Sequence, residues 1–158
     1  MSEQEKEFSQ FVHLHCHTDY SLYDGFQKQS SLVKRAKELN MKAVAITDHG
    51  KVGSFVKFYK SCKEEGIKPI FGIEAYIVND LENKKSERFH LTILAKNLQG
   101  YRNILKLSTE SHKHIVRVGR NEIPRIDWDI LRDCSEGLII LSGNLIHAAL
   151  KFNNLSFL

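Results

Sequence analysis

Between Phe11 and Asp19 the chain reads Phe-Val-His-Leu-His-Cys-His-Thr-Asp, with three histidines alternating with apolar residues. In an extended strand successive side chains leave by opposite faces. This period of two therefore sets His13, His15 and His17 on one face and Val12, Leu14 and Cys16 on the other. Residues two apart sit ~6.5–7 Å apart along a strand, close enough for two imidazoles to converge on one metal ion or on two neighbouring ions. A structural strand has no use for a face of stacked imidazoles. Residues 10–17 are accordingly predicted to be a strand with one apolar face and one metal-binding face.

The bulk composition narrows the setting. A chain of 158 residues suits one domain, and 42% hydrophobic with 27% charged residues is the balance of an ordinary globular protein. The net charge of +4 does not by itself demand nucleic acid. Cys16, Cys62 and Cys134 are odd in number and form no CxxC pair, which fits a reducing compartment and argues against a disulfide framework. No apolar run approaches the ~18 residues of a membrane span, and Met1 to Glu7 lacks the apolar stretch of a signal peptide. The expectation is a cytoplasmic protein with no membrane partner.

After the histidine strand, short apolar runs alternate with helical patterns. Leu32, Val33, Ala36 and Leu39 follow helical spacing behind a Ser30/Ser31 cap, with Asn40 as a stop. Residues 42–47 form a near-continuous apolar strand of the kind covered on both faces. A helix from about Ser54 closes at Gly66. Further strands are expected at 70–78, 89–95 and 137–142, and helices at 98–112, after an Asp127 cap, and at 145–152. Residues 79–88 read as a surface loop. This alternation predicts an α/β fold built on parallel strands.

Most ligand-type residues fall at or just beyond the ends of these strands. His15 and His17 end the first, Asp24 lies in the loop after it, and Asp48 and His49 end the second. Glu74 lies in the third and His90 in the fourth. In α/β barrels and open parallel sheets that is the face where sites are assembled. A carboxylate inside an apolar strand, as Glu74 is, needs a partner if it is buried. His13 and Asp48 are candidates for orienting a ligand. The basic stretch around His112-Lys113-His114, with Arg117, Arg120 and Arg125, reads either as a phosphate contact or as a solvated loop.

The motifs His13-Leu14-His15-Cys16-His17-Thr18, Tyr23-Asp24-Gly25, Ile46-Thr47-Asp48-His49-Gly50 and Gly72-Ile73-Glu74-Ala75-Tyr76 resemble successive motifs of the PHP (polymerase and histidinol phosphatase) superfamily. The text between them, including Gly66-Ile67-Lys68-Pro69-Ile70, Phe89-His90-Leu91-Thr92 and Pro124-Arg125-Ile126-Asp127, is similar to the amino-terminal PHP domains of bacterial DNA polymerase III alpha subunits. The resemblance implies a (β/α)7-type TIM-like barrel holding up to three divalent metals, zinc or manganese. By that analogy His15 and His17 bind one metal, Glu74 bridges it to a second held by His90, and Asp24 with His49 holds a third. It also implies metal-dependent phosphoesterase or 3′–5′ exonuclease chemistry on DNA or another phosphodiester, with the rest of a polymerase alpha subunit or other replisome subunits as partners.

Two departures from the family shape the expectation. Asn144 stands where the family carries a Cys or His, and the family's closing Asp-x-His motif is not reached within 158 residues. A complete barrel of this type takes ~200–250 residues. Residues 10–152 are therefore expected to form a partial barrel, truncated or split, after a polar lead-in (1–9) and before a divergent tail (153–158). An incomplete barrel exposes a strand edge and an apolar face. An alternative reading makes the chain a non-catalytic docking module with a degenerate metal site.

Overall fold

The computed structural model describes residues 11–22 and 24–142. The lead-in, Tyr23, Asn144, the 145–152 helix and the tail lie outside them. Eleven strands and helices follow in the order α1 (Gln29–Glu38), β1 (Ala43–Ile46), α2 (Phe55–Glu65), β2 (Lys68–Val78), β3 (Arg88–Ala95), α3 (Leu98–Ser111), β4 (Val116–Val118), β5 (Asn121–Ile123), β6 (Arg125–Ile126), α4 (Trp128–Asp133) and β7 (Leu138–Leu141).

The long strand β2 is the spine. One of its edges pairs in parallel with β1 (Ala43 opposite Lys68) and, further on, with β6 (Tyr76 opposite Arg125). The other edge pairs antiparallel with β3, which in turn pairs antiparallel with β7. The expected α/β class and its parallel pairs are present, but the sheet is mixed. The reason lies in the connection. No helix intervenes between β2 and β3, and a parallel return needs a crossover of a dozen or more residues. The short loop through residues 79–87 can only turn the chain back on itself.

The first predicted strand differs from expectation. Residues 11–18 lie beside β1, yet they form no ladder. The Ala45 amide donates to the His13 carbonyl at 2.9 Å and the Thr47 amide, just past β1, to the Cys16 carbonyl at 2.8 Å, so a two-residue step from Ala45 to Thr47 matches a three-residue step in this segment. The Cys16 amide turns instead to the Thr47 hydroxyl at 3.0 Å. A side-chain oxygen has displaced the backbone partner, the competition that keeps such a segment out of a regular sheet.

β1 is buried along its whole length, as its apolar run predicts. On the helix side of the sheet Phe71 packs against Phe55, Phe58 and Tyr101, and Val33, Ile73, Ile77, Ile93 and Leu107 are buried around them. Gly66 ends α2 as expected, and Asn40 takes a left-handed conformation (φ 53°) just past α1. An apolar groove of about 740 Å³, lined in part by the exposed Leu14, Val56, Tyr59, Leu98 and Ile139, opens beside β7. Among the described residues β7 has no partner on its outer edge.

Asp127 caps the six-residue α4, accepting from the Ile130 amide at 2.9 Å. Replacing it with alanine leaves an orphan donor at a short helix, an expected loss of ~1 kcal/mol. That corresponds to a melting temperature lower by ~2–4 °C in thermal denaturation.

Candidate metal centre

β2 and β3 supply the floor of the site. Glu74 lies opposite Thr92, and Tyr76 opposite His90, in the antiparallel register. Cross-strand partners share a face, so Glu74, Tyr76 and His90 come to the same side of the sheet. β1 runs on past Ile46, and its end is clamped to the backbone of Glu74. The Glu74 amide donates to the Asp48 carbonyl (3.2 Å), and the Gly50 amide donates to the Glu74 carbonyl (2.9 Å). His49 is thereby bridged to Glu74.

The other five predicted ligand residues gather around that carboxylate. Glu74 Oε2 lies 2.6 Å from His17 Nε2, 2.9 Å from His15 Nε2 and 3.5 Å from His49 Nε2, and Oε1 lies 4.0 Å from His90 Nδ1. Asp24 Oδ2 is in contact with His17 Nδ1 and lies 3.0 Å from His49 Nε2. His15 Nε2 and His17 Nε2 are 2.9 Å apart. Three overlapping triads have ligand atoms within 4.8 Å of one another: His15–His17–Glu74, His17–Asp24–His49 and His49–Glu74–His90.

The donor chemistry fits divalent metal. Four imidazoles and two carboxylates suit zinc, manganese or iron, and no thiolate enters the cluster. Nitrogen ligands of a tetrahedral ion with ~2.0–2.1 Å bonds lie about 3.3–3.4 Å apart, so shifts of under ~1 Å would seat one. The buried ring nitrogens His49 Nδ1 and His90 Nε2 find no hydrogen-bond partner among the described residues.

The cluster also sets the protonation of its members. Burial would raise the Glu74 carboxyl, but His17, His49 and His15 outweigh it and hold the group down at about 2. Burial pulls the His17 imidazole down, while hydrogen bonds to Glu74 and Asp24 raise it on balance. At His49 burial prevails over Glu74 and the imidazole is lowered.

The supporting residues differ from the sequence expectation. Asp48 does not reach the His49 ring in any described contact. Its buried carboxylate accepts from the Thr18 amide (2.7 Å), the Thr18 hydroxyl (3.0 Å) and the Ser54 hydroxyl (2.7 Å). It thus ties the loop after His17 to the start of α2. His13 is exposed and packs edge-on to Phe11, outside the cluster, because the missing ladder leaves it out of step with His15.

Arg125 is committed to backbone carbonyls. It is buried, and its guanidinium donates to the carbonyls of His114 (3.2 Å), Asn83 (3.1 Å) and Leu81 (2.8 Å). Arg117 pairs with Glu122 across the β4–β5 hairpin at 2.7 Å. This hairpin forms a wall of a cleft of about 660 Å³ that also takes in Asp24, His49, Lys51, Tyr76 and Arg120.

Two contributors were not anticipated. Tyr76 stacks on His49 (5.2 Å between ring centres) and meets His90 edge-on (4.7 Å). The Ser21 hydroxyl accepts from the His49 amide at 3.2 Å and contacts His17 Nδ1 at 3.3 Å. Period-two alternation from Glu74 would have found Tyr76. The Ser21 contact has no sequence signal.

A mixed α/β sheet carrying a histidine–carboxylate cluster on one face of β2 and β3 defines the class. A family model described as PHP domain matches residues 13–151, and the chain belongs to that family. It is 48% identical over 143 residues to the DNA polymerase III subunit alpha of Helicobacter pylori strain J99, covering 89% of this chain and 12% of that protein. It is 46% identical over 141 residues to the same subunit of Borreliella burgdorferi, covering 85% of this chain and 12% of that protein. The chain therefore spans only 12% of the length of these curated relatives. A solved amidohydrolase from Chromobacterium violaceum shares the fold, with a TM-score of 0.50 at 20% identity, over 64% of this chain and 33% of that one. No helix among the described residues is long and apolar enough to cross a membrane.

Proposed function

We propose that the chain is the PHP module of a bacterial replicative DNA polymerase alpha subunit. In this reading it holds zinc or manganese and hydrolyses phosphodiesters in the manner of a 3′–5′ proofreading exonuclease in the cytoplasm. The observation that supports this most is the convergence of His15, His17, Asp24, His49 and His90 around Glu74 from segments far apart in sequence. The complete early ligand set favours chemistry over a purely bracing role.

Divalent ions held there would supply Lewis acidity toward phosphoryl oxygens. The chain's own groups do the rest. Glu74 and Asp24 offset the charge of the ions, the four imidazoles present neutral nitrogens, and Tyr76 walls His49 and His90. Asp48 fixes the backbone that carries His17. The remainder of the alpha subunit and DNA are the partners of this reading.

The test is metal analysis together with hydrolysis of a single-stranded oligonucleotide, using His15→Ala and Glu74→Ala as controls. Bound metal and hydrolysis that both variants abolish support the reading. Hydrolysis unchanged by either substitution would overturn it.

Metal affinity is expected to depend on pH. Ligating imidazoles must be neutral. His17 has a raised folded-state value, so its proton is lost only as pH rises through that value. Chelator competition should show affinity already declining as pH falls toward the ordinary imidazole value of 6.5 and further below it, because His17 holds its proton to higher pH than a free histidine. A flat profile down to pH 5 would exclude histidine ligation.

A further inference from the structure

Lys51 and Arg120 line the same cleft as Asp24 and His49, and neither has an acidic partner among the described residues. Both sit on backbone that is held in place. Gly50, at φ +60°, packs against Pro124 so closely that a Cβ there would lie 2.5 Å from the Pro124 ring. Its amide is bound by the Glu74 carbonyl, and its own carbonyl accepts from the Ser108 hydroxyl at 3.2 Å. Lys51 follows directly. Arg120 occupies the two-residue turn between β4 and β5, where Gly119 at φ +61° gives the bend of a primed hairpin turn. Arg125, bonded to the carbonyl of His114, secures the base of that hairpin.

Two unpaired cations on fixed backbone beside a cluster suited to metal call for a ligand with more than one phosphate. The apolar surfaces of Leu22, Ile123 and Pro124 in the same cleft call for apolar or planar groups as well. A volume of about 660 Å³ is in the range of clefts that take a ligand of nucleotide size. We propose that Lys51 and Arg120 form a phosphate-recognition subsite for single-stranded nucleic acid, binding a backbone phosphate next to the one presented to the ligand cluster. Arg117, neutralised by Glu122, is outside it. The proposal deepens the metal-site reading above and rests on it for the position of the reacting phosphate.

The test is fluorescence anisotropy of a short 5′-fluorescein oligothymidylate with phosphorothioate linkages, titrated with the zinc-loaded chain over a range of salt. Each phosphate contact to a single strand contributes ~0.7 to the slope of log K against log salt, so the double variant Lys51→Ala/Arg120→Ala, which gives up the one phosphate the subsite binds, should lower that slope by about 0.7. The charge-keeping pair Lys51→Arg/Arg120→Lys should retain it, Arg117→Ala should change it little, and a methylphosphonate probe should bind no better than the double variant does. An unchanged affinity and slope in the double variant, or no binding by the parent chain, overturns the subsite. So does a loss in Arg117→Ala as large as in the double variant. Metal analysis of the same samples separates the two readings. A parent that holds no zinc yet loses binding in the double variant sinks the metal reading and leaves the subsite standing. A zinc-bearing parent with an unchanged slope does the reverse.

Discussion

Glu74→Gln is expected to weaken divalent-metal binding by at least ~100-fold, read by chelator competition. Glutamine keeps the size of the side chain but removes the one charge that touches His15, His17, His49 and His90. Even partners one shell out from a metal are worth ~10–100-fold in affinity, and Glu74 belongs to two of the three candidate triads. Affinity within threefold of the parent would remove Glu74 from the centre. The metal-free protein gives a second reading of the same group. Glu74 is held at about 2 in the folded state against 4.5 for an ordinary glutamate. A depressed carboxyl stabilises the fold above its unfolded value, and that contribution is lost as pH falls through the folded one. The melting temperatures of parent and variant should therefore differ most above pH ~5 and converge toward pH ~2.

Arg125→Met is expected to cost ~3–5 kcal/mol, because it strips donors from the carbonyls of Leu81, Asn83 and His114 at once in a buried setting. In a chain of this length that lowers the melting temperature by roughly 10 °C or more. An arginine reserved for phosphate would behave in the opposite way, leaving the melt untouched and weakening nucleic-acid binding alone. Thermal denaturation with a parallel binding titration decides between them.

The histidine–carboxylate cluster, as a grouping of side chains, was largely legible because its members follow or interrupt apolar runs. His49 closes the Ala43–Ile46 run, and Glu74 interrupts an otherwise apolar strand. What the sequence concealed has physical causes. Strand direction leaves no mark on period-two patterning, so β3 read as one more strand of a parallel set. The hairpin strands β4 and β5 are three residues each, too short for any periodicity, and they passed as a basic connector. Charge says nothing of burial, so Arg125 resembled Arg117 and Arg120 until its carbonyl partners were visible. The histidine segment had the alternation of a strand, but a single hydroxyl, that of Thr47, took the bond a ladder needed.

The sharing of Glu74 has a consequence for how such a centre changes over generations. Its three triads overlap without being identical, so losing Asp24 would disable one triad and losing His90 another, while His15, His17 and Glu74 would persist. A lineage can shed such a centre in stages, each leaving a smaller but still coherent ligand set. Only at Glu74, His17 or His49 does one substitution strike two triads together. Relatives that have drifted from catalysis toward scaffolding should then differ from this chain first at the periphery of the cluster and last at its hub.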